Sequence, residues 1–478
     1  MTSLVDESAL STVVSDIAAE LEVAHVPGLE LAVVRDGKTV FAGGVGVRGV
    51  FDPAPVSATT LFHHGSCGKA YTGLLAVLLA ADGVVELDVP VRRYVPELRL
   101  PDPVIAERVT LRDLLSHRSG FGRNDLAWIV NPGWSPEDVV ARLEHLPLVG
   151  DLRAQWSYSN FGYALAGFAL GRAAGTSWAA EMHERVLGPL GMSRTRLTAA
   201  GMAEDPDHAT PHVVRDEVPR ATVFRLLNGI APAGEVVSCA EDSVRWLMAQ
   251  LGEGPLSAEL VRQPQTPSML VPSGVSPFPE MEFVGYGLGW LAGRYRGRPL
   301  VWHNGGVDGF ATQTLLLPDD RIGILASANV FPGNTSLAVV LGIADELLGR
   351  GGDEPSWFER LRAAESAAEA VPEQPSEAAP TSPTAVKPHA HDLAAYAGSY
   401  DNHGWGRLTV AVGDSGLRVW IGEYEMEAAH RHFETWRLYY APLDGEGTVT
   451  FATDASGTVC AADIAFESVP EPVRFHGQ

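Results

Sequence analysis

The sequence predicts an α+β protein in which an antiparallel sheet with packed helices and a helical insertion is followed by a small antiparallel β-barrel. Three observations carry this prediction. The chain starts with a helix and a hairpin and later supplies more strands and a helix, so its two ends can share one sheet. Residues 105–350 mix helices with loops rich in Gly, Pro and Asn. After a linker, short alternating stretches are separated by Gly and Asp turns, as in small barrels.

The first elements follow from periodicity and turn residues. Apolar residues at helical spacing predict a helix over 11–24. Residues 29–34 and 39–47 flank an Asp-Gly pair, which predicts a hairpin. An apolar helix is expected over 66–81, where a second Asp-Gly pair stops it.

Later elements complete the predicted sheet. The stretch Ser-Cys-Ala-Glu at 238–241 matches a capping box ahead of an apolar helix. A helix is expected over 334–348, and strands are expected over 288–295, 300–303, 312–317 and 322–328.

Three regions divide the chain. We assign 1–350 to a catalytic domain, 351–391 to a helix and an Ala-, Pro- and Glu-rich linker, and 392–478 to the barrel. The predicted barrel strands include 406–412, 417–421, 436–440 and 448–452.

Composition excludes several classes of function. The 478 residues carry a formal net charge of −24, which argues against binding of nucleic acid or of an anionic membrane surface. No apolar run is long enough to span a bilayer, and the first 22 residues do not resemble a signal peptide, so we expect a cytoplasmic protein. The three cysteines are widely spaced and form no CxxC pair. We therefore expect no disulfide framework, no metal and no cofactor.

Ser66 and Lys69 are the strongest candidates for chemistry. They lie three residues apart at the start of the predicted apolar helix, and residues at i and i+3 share one helix face. A serine needs an adjacent base to become a nucleophile. A lysine can be that base only if burial or cationic neighbours lower its pKa from about 10.4. The apolar run 74–79 supplies such a setting.

Two further elements follow in chain order, Tyr-Ser-Asn at 158–160 and His-Asn-Gly-Gly at 303–306. This three-part order is typical of penicillin-binding-type enzymes. Over residues 10–350, with supporting stretches at 109–120 and 233–238, the sequence resembles the class C β-lactamase, esterase and D-aminopeptidase branch of the penicillin-recognising serine hydrolases. The resemblance implies a β-lactamase/transpeptidase-like fold with a helical subdomain, and the last domain resembles the lipocalin-like barrel of some members.

The resemblance also implies catalytic roles. Ser66 would be the acylated nucleophile, Lys69 its base and Tyr158 a proton relay. Asn160 would hydrogen-bond the acyl side of the substrate. His303 stands where many relatives have lysine, and it would tune Tyr158 or, when protonated, hold a substrate carboxylate.

The strand at 303–306 is also implied to contact the substrate. The backbone N–H groups of Ser66 and Gly306 would form the oxyanion hole, beside Asn304 and Gly305. Glycine at these positions permits close approach of the strand. Arg474, near the end of the barrel, is a further candidate for reaching the substrate.

Each candidate also has an ordinary structural explanation. Tyr158 can be a packed aromatic, Asn160 a helix cap and His303 a buried strand histidine. Their ordered co-occurrence with Ser66 and Lys69 favours a catalytic centre.

Three other features of the sequence receive structural explanations. Cys67-Gly68 is an unusual interior for the S-x-x-K box, and a small core residue is favoured over a reactive thiol. His117 lies in a stretch that we assign a structural role. The histidine pairs at 389/391 and 430/432 have no accompanying carboxylate or cysteine cluster, which disfavours metal binding.

Three functions compete. The leading one is a stand-alone penicillin-binding-protein-type thioesterase that takes a nonribosomal peptide with a C-terminal D-residue from a peptidyl carrier protein and cyclises it head to tail. The second is a D-stereospecific aminopeptidase, amidase or esterase. The third is a non-catalytic sensing module, which the complete catalytic set disfavours. We expect the barrel to influence the choice of a peptide ester, thioester or amide substrate.

Overall fold

The computed structural model of the protein describes residues 7–274, 276, 278–350, 354–370, 388–414, 416–422, 424–440, 445–466 and 472–477. Its strands in chain order are β1 Gly28–Arg35, β2 Lys38–Gly49, β3 Asp52–Pro55, β4 Phe62–His63, β5 His212–Arg215, β6 Val218–Ala221, β7 Val237–Ser238, β8 Met269–Leu270, β9 Met281–Tyr286, β10 Leu291–Tyr295, β11 Arg298–Val307, β12 Phe310–Leu317, β13 Ile322–Ala328, β14 Gly398–Asn402, β15 Gly406–Gly413, β16 Gly416–Ile421, β17 Tyr424–His432, β18 Thr435–Tyr440, β19 Gly445–Thr453, β20 Val459–Phe466 and β21 Val473–Gly477.

The helices of the described residues are α1 Glu7–Val23, α2 Gly68–Ala81, α3 Pro103–Arg108, α4 Leu111–Leu115, α5 Asp125–Ile129, α6 Pro136–Arg142, α7 Asn160–Ala174, α8 Trp178–Met182, α9 Gly188–Leu190, α10 Ala199–Ala203, α11 Ala240–Gln250, α12 Ala258–Gln265, α13 Thr335–Leu347 and α14 Trp357–Ala370. Within the described residues, no helix is long and apolar enough to cross a membrane.

One antiparallel sheet joins the two ends of the catalytic part. Within the described residues it has the order β3-β2-β1-β13-β12-β11-β10-β9-β8. Strand β1 pairs with β13 from Leu29 opposite Ala328 to Arg35 opposite Ile322. The pairing of an early strand with a late one confirms the prediction that both chain ends share one sheet. Most helices of the long connection between β4 and β8 form the helical subdomain.

Helices cover both faces of the sheet, and its central strands are therefore buried on both sides. On β1, Leu29, Leu31 and Val33 pack into one apolar cluster with residues of α1 and α13. The alternate residues Ala32 and Val34 pack into a second cluster with residues of α2 and α11. Successive side chains on a strand point to opposite faces, so a nearly continuous apolar strand supplies both cores.

Two local predictions differ from the structure. The predicted helix over 66–81 begins as α2 at Gly68, and Ser66 lies in a preceding 3₁₀ turn, Gly65–Cys67. The capping box at 238–241 is absent, since Cys239 is the cap residue of α11 and makes no side-chain capping bond. Ser238 belongs to β7 and its hydroxyl lies 2.8 Å from that of Thr195, because pairing with β4 withdraws it from the helix end.

Strands β14–β21 form a closed antiparallel barrel within the described residues. Its core includes the buried rings of Trp405, Trp436, Phe451 and Phe475, and it is continuous with the core of the helical subdomain. Of the predicted linker, 371–387 lies outside the described residues, as does 351–353. Helix α14 precedes that gap and packs Trp357 and Leu361 on the cluster around α13.

Candidate active site

The candidate nucleophile lies in the turn that leads into α2. Ser66 is partly exposed, whereas its neighbours Gly65 and Cys67 are buried. Gly65 adopts φ +52°, which an L side chain rarely takes, and a Cβ there would lie 3.1 Å from the backbone nitrogen of Gly306. The turn therefore holds the serine close to strand β11 and at the amino-terminal end of a buried helix.

Lys69 is buried and reaches Ser66. Its Nζ lies 3.0 Å from Ser66 Oγ, 2.7 Å from Asn160 Oδ1 and 2.7 Å from the carbonyl oxygen of Ala233. Burial lowers its pKa from 10.5 to about 7; the carboxylate of Asp125 opposes this shift and the cation of Arg123 adds to it. A neutral amine carries two hydrogens and one lone pair. The two carbonyl-type oxygens can only accept hydrogens, so the lone pair remains for the Ser66 hydroxyl, as a general base requires.

Asn160 is held in one orientation by Asp125. Asn160 Nδ2 donates to Asp125 Oδ1 at 2.9 Å, which directs its Oδ1 toward Lys69. Asp125 also accepts from Arg123 Nε at 2.9 Å and from Trp128 Nε1 at 3.0 Å. One hydrogen of the Asn160 amide remains after these contacts. That hydrogen is the group through which Asn160 can act on the acyl side of a substrate.

Tyr158 lies over the same amine with its ring centroid 4.8 Å from Lys69 Nζ. Burial raises the pKa of its phenol well above the usual value, although its hydrogen bond with Ser66 opposes the shift. The resting phenol is therefore neutral. Of these two groups, Lys69 is therefore the better candidate for the base of the resting site, and Tyr158 is suited to pass a proton to a leaving group.

The ring of His117 packs against the ring of Tyr158. Its ring centroid is 4.3 Å from that of Tyr158, and its Nδ1 accepts from the backbone N–H of Ser159 at 3.1 Å. Burial, with Lys69 as the next cause, holds its pKa well below the usual value, so the imidazole is neutral. The stretch assigned a structural role thus contributes directly to the placement of the tyrosine.

His303 is neutral and fully engaged. Its Nδ1 lies 2.6 Å from the carbonyl oxygen of Asn304, and its Nε2 lies 2.8 Å from the hydroxyl of Tyr286. A carbonyl only accepts, so Nδ1 carries the hydrogen and Tyr286 donates to Nε2. Burial, assisted by the nearby Lys69, lowers its pKa to about 3. The structure therefore disfavours a protonated His303 that holds a substrate carboxylate, because the ring is buried, its pKa is lowered and both of its nitrogens are engaged.

The glycines of β11 allow the strand to lie against the nucleophile turn. A Cβ on Gly305 would come within 2.0 Å of the carbonyl oxygen of His64 and 3.1 Å of the Ser66 nitrogen. Strand β11 pairs with β10 only as far as Trp302. Its residues 303–307 still pair with β12 on the other side. Asn304 and Gly306 are exposed on this segment. The arrangement places the backbone of Gly306 beside Ser66, as an oxyanion hole built from both N–H groups requires.

The unusual Cys67-Gly68 pair has a packing explanation. Cys67 is buried, with Sγ 3.4 Å from the His303 carbonyl oxygen, and burial raises the pKa of its thiol to about 12. This is the small core residue that the sequence favoured. A Cβ on Gly68 would lie 3.3 Å from Gly234 Cα, so glycine lets the loop carrying Ala233 approach Lys69.

Arg474 lies on β21 of the barrel, where its guanidinium forms two 2.7 Å hydrogen bonds with Asp463 on β20. The structure therefore gives Arg474 a partner on the barrel, whereas Ser66, Lys69, Tyr158 and Asn160 converge. Sequence reasoning missed Asp125 and Tyr286, because they lie 35 and 17 positions from Asn160 and His303, the site residues that they contact. Ala233 belongs to a stretch that was singled out, but its carbonyl carried no signal of its own.

At least one histidine of each pair in the barrel contacts a backbone carbonyl. His391 Nε2 lies 2.8 Å from the carbonyl oxygen of Gly457, and His430 Nε2 lies 2.9 Å from that of Phe433. Among the residues that the structure describes, no group of three or more His, Cys, Asp or Glu could hold a metal ion.

A serine with a buried lysine base, a neutral tyrosine and a glycine-bearing strand on an antiparallel sheet defines a serine hydrolase of the penicillin-binding type. The chain belongs to the Beta-lactamase family, whose model matches residues 14–348. A second model, a domain of unknown function termed DUF3471, matches residues 382–476 and so covers the barrel.

Two curated relatives and two solved structures are similar to this chain over most of its length. An unguisins hydrolase of Aspergillus campestris is 26% identical over 88% of this chain and 80% of its own length. One of Aspergillus violaceofuscus is 27% identical over 96% of this chain and 86% of its own. The octameric penicillin-binding protein homologue of Pyrococcus abyssi aligns with 98% of this chain and 99% of its own at a TM-score of 0.65 and 21% identity. SurE, which has also been crystallised with D-Leu, aligns with 98% of this chain and 98% of its own at a TM-score of 0.59 and 22% identity.

Proposed function

We propose that this serine hydrolase is a stand-alone thioesterase that accepts a peptidyl thioester with a D-residue at its acylating end and closes the peptide head to tail. Ser66 attacks the thioester carbonyl while Lys69 takes its proton, and the thiolate leaves as a thiol after protonation through Tyr158. The amino terminus of the peptide then attacks the acyl-enzyme, forms the amide and restores the Ser66 hydroxyl. A peptidyl carrier protein would deliver the donor.

The observation that carries the proposal is the neutral, doubly engaged His303. An enzyme that cleaves beside a free C-terminal carboxylate gains from a cation on this strand, and His303 supplies none. A thioester, an ester or an amide within a ring has no such carboxylate. At His303, strand β11 thus offers no charge to a leaving-group carboxylate, which supports donors whose leaving group carries no carboxylate.

The D-configuration comes from the resemblance to the penicillin-recognising enzymes. It is supported by a protein with the same two-domain extent, SurE, whose crystals contain D-Leu. A comparison of the D- and L-epimers of one substrate tests this stereochemistry directly.

A second candidate is hydrolysis of a peptide by the same acyl-enzyme. The observation that favours it is the name of the two full-length relatives, both unguisins hydrolases. The two candidates share the acyl-enzyme and differ in the acceptor, an amine or water, and in whether a carrier protein delivers the acyl donor.

One turnover experiment separates these candidates. The purified protein is incubated with a short peptidyl thioester mimic ending in a D-residue, with the L-epimer as control, and products are read by mass spectrometry. A product one water lighter than the linear acid, formed from the D-epimer alone, supports the cyclase. Linear acid as the sole product, with a transient adduct on Ser66, supports the hydrolase and refutes the cyclase.

A further inference from the structure

Arg225 lies at the junction of the barrel and the catalytic strands. The residue is 4% exposed. Its Nε and Nη2 donate to Asp308 Oδ2 at 3.0 and 2.5 Å. Its Nη1 donates to the hydroxyl of Tyr424 at 2.6 Å and to the carbonyl of Ile129 at 3.2 Å. Since Tyr424 begins β17, one buried guanidinium joins the barrel to two parts of the catalytic domain.

The first of these parts is the hairpin of β11 and β12, which carries Gly306, the candidate second donor of the oxyanion hole. Asp308 lies in the turn between β11 and β12, two residues after Gly306. In this hairpin Gly306 pairs with Ala311, and Val307 pairs with Phe310. A displacement of the turn would therefore be transmitted to the Gly306 backbone beside the nucleophile.

The second part is the short helix α5. Ile129 ends this helix, and Asp125, which orients the Asn160 amide, begins it. The barrel also touches the chain just beyond the helix, where Asn131 Nδ2 donates to the Trp405 carbonyl at 3.1 Å. The barrel thus contacts both the helix whose Asp125 orients Asn160, the partner of Lys69, and the hairpin that carries Gly306.

We propose that Arg225 is a positioning residue through which the barrel sets the rate of Ser66 acylation. The planar guanidinium presents donors in a fixed fork, so it can hold a carboxylate and a phenol at once in a way that a lysine ammonium cannot. The inference rests on the Ser66 acyl-enzyme of the proposed function and is independent of whether an amine or water accepts the acyl group. It adds an effect on chemistry to the barrel's expected influence on substrate choice.

The test compares full-length Arg225→Gln and Tyr424→Phe with a matched control, Arg296→Gln. Arg296 is also largely buried and forms two hydrogen bonds with Asp345, which accepts from the hydroxyl of Tyr295 as well. That cluster joins β10 to α13, away from Ser66. Stopped-flow acylation by a p-nitrophenyl ester gives the acylation rate constant and the half-saturating concentration, and calorimetry gives Tm.

We expect Arg225→Gln to lower the acylation rate constant by about 10–100-fold, since losing an entire oxyanion donor costs about 10²–10³ and a displaced one costs less. The half-saturating concentration should change by less than about threefold. Tyr424→Phe, which keeps the ring, should lower the rate by about 3–10-fold because the guanidinium keeps its carboxylate. Arg296→Gln should lower Tm and leave the acylation rate at the wild-type value.

Several outcomes would overturn the proposal. One is wild-type acylation by Arg225→Gln, or by Tyr424→Phe if the arginine variant does not fold. Another is a loss of acylation rate in Arg296→Gln as large as that in Arg225→Gln, which would show that lower stability alone explains the slower acylation. A third is a change in Arg225→Gln that is confined to the half-saturating concentration, which would place the residue in substrate binding instead of in the acylation step. Failure of the wild-type protein to acylate at Ser66 would instead refute the proposed function.

Discussion

Two residues next to the active site should move the pH dependence of acylation in opposite directions. We expect the neutral form of Lys69 to be the active base, so acylation should be slow below the Lys69 pKa of about 7 and reach a plateau above it. Asp125 stabilises the charged amine, whereas Arg123 destabilises it. Removing the carboxylate with Asp125→Asn should therefore move the midpoint to lower pH, and removing the cation with Arg123→Gln should move it to higher pH.

The magnitude follows from the contacts. Lys69 and Asp125 are joined through the Asn160 amide by hydrogen bonds of 2.7 and 2.9 Å, which places the two charges on the order of 7 Å apart. At an effective dielectric constant of about 20–40, their attraction is about 1.2–2.4 kcal/mol, which corresponds to about one to two pH units. The Arg123 side chain is 61% exposed, so solvent screening makes its effect smaller.

The assay measures pre-steady-state acylation by an activated ester from pH 5.5 to 9.5. In Asp125→Asn the new amide oxygen can still accept from Asn160, so the amide orientation survives the substitution. Asp88→Asn, which alters an ion pair with Arg112 elsewhere on the domain, is the control and should leave the midpoint unchanged. Midpoints that shift in the same direction in Asp125→Asn and Arg123→Gln, or a wild-type midpoint above pH 9, would refute Lys69 as the resting base.

Three further predictions concern other residues of the catalytic domain. Ser66→Ala should abolish covalent labelling by a fluorophosphonate, and turnover near the wild-type level would refute the acyl-enzyme. Tyr158→Phe should lower acylation by an alkyl thioester by about 10²–10⁴-fold and by a p-nitrophenyl ester far less, because the better leaving group needs no proton; equal losses in the two rate measurements would contradict this role. Burial raises the pKa of Glu235 from 4.5 to about 7, so the folded state binds the proton more tightly and the free energy of unfolding should fall as pH rises from 4.5 to 7. Urea denaturation across this range should show that slope, and Glu235→Gln should flatten it; an identical slope in the variant would show that other groups cause it.

The sequence was most informative where function depends on residues close together in the chain. Ser66 and Lys69 are three positions apart, and their contact of 3.0 Å follows from any helical turn that joins them. The main sheet strands were also predictable, because buried strands and Asp-Gly turns are local patterns. The 3₁₀ turn at Ser66 was not, since it depends on the fit of Gly65 against Gly306.

The protonation states were beyond the sequence because burial and distant partners determine them. Tyr286 lies 17 positions from His303, yet its hydroxyl occupies one imidazole nitrogen. Asp125 lies 35 positions from Asn160 and sets the direction of its amide. A histidine in place of lysine was therefore visible as a substitution, but its loss of charge required the folded core.

The pairing of β1 with β13 also constrains the order of events during synthesis. Residues 28–35 leave the ribosome almost 300 positions before residues 322–328, so the middle of the sheet stays open until the domain is nearly complete. Strand β11, which flanks the turn carrying Ser66, is likewise one of the later strands of this sheet to emerge. Contacts between distant segments slow folding because a long loop must close first. A nascent chain consequently contains Ser66 and Lys69 long before it contains the strands that complete the sheet around them.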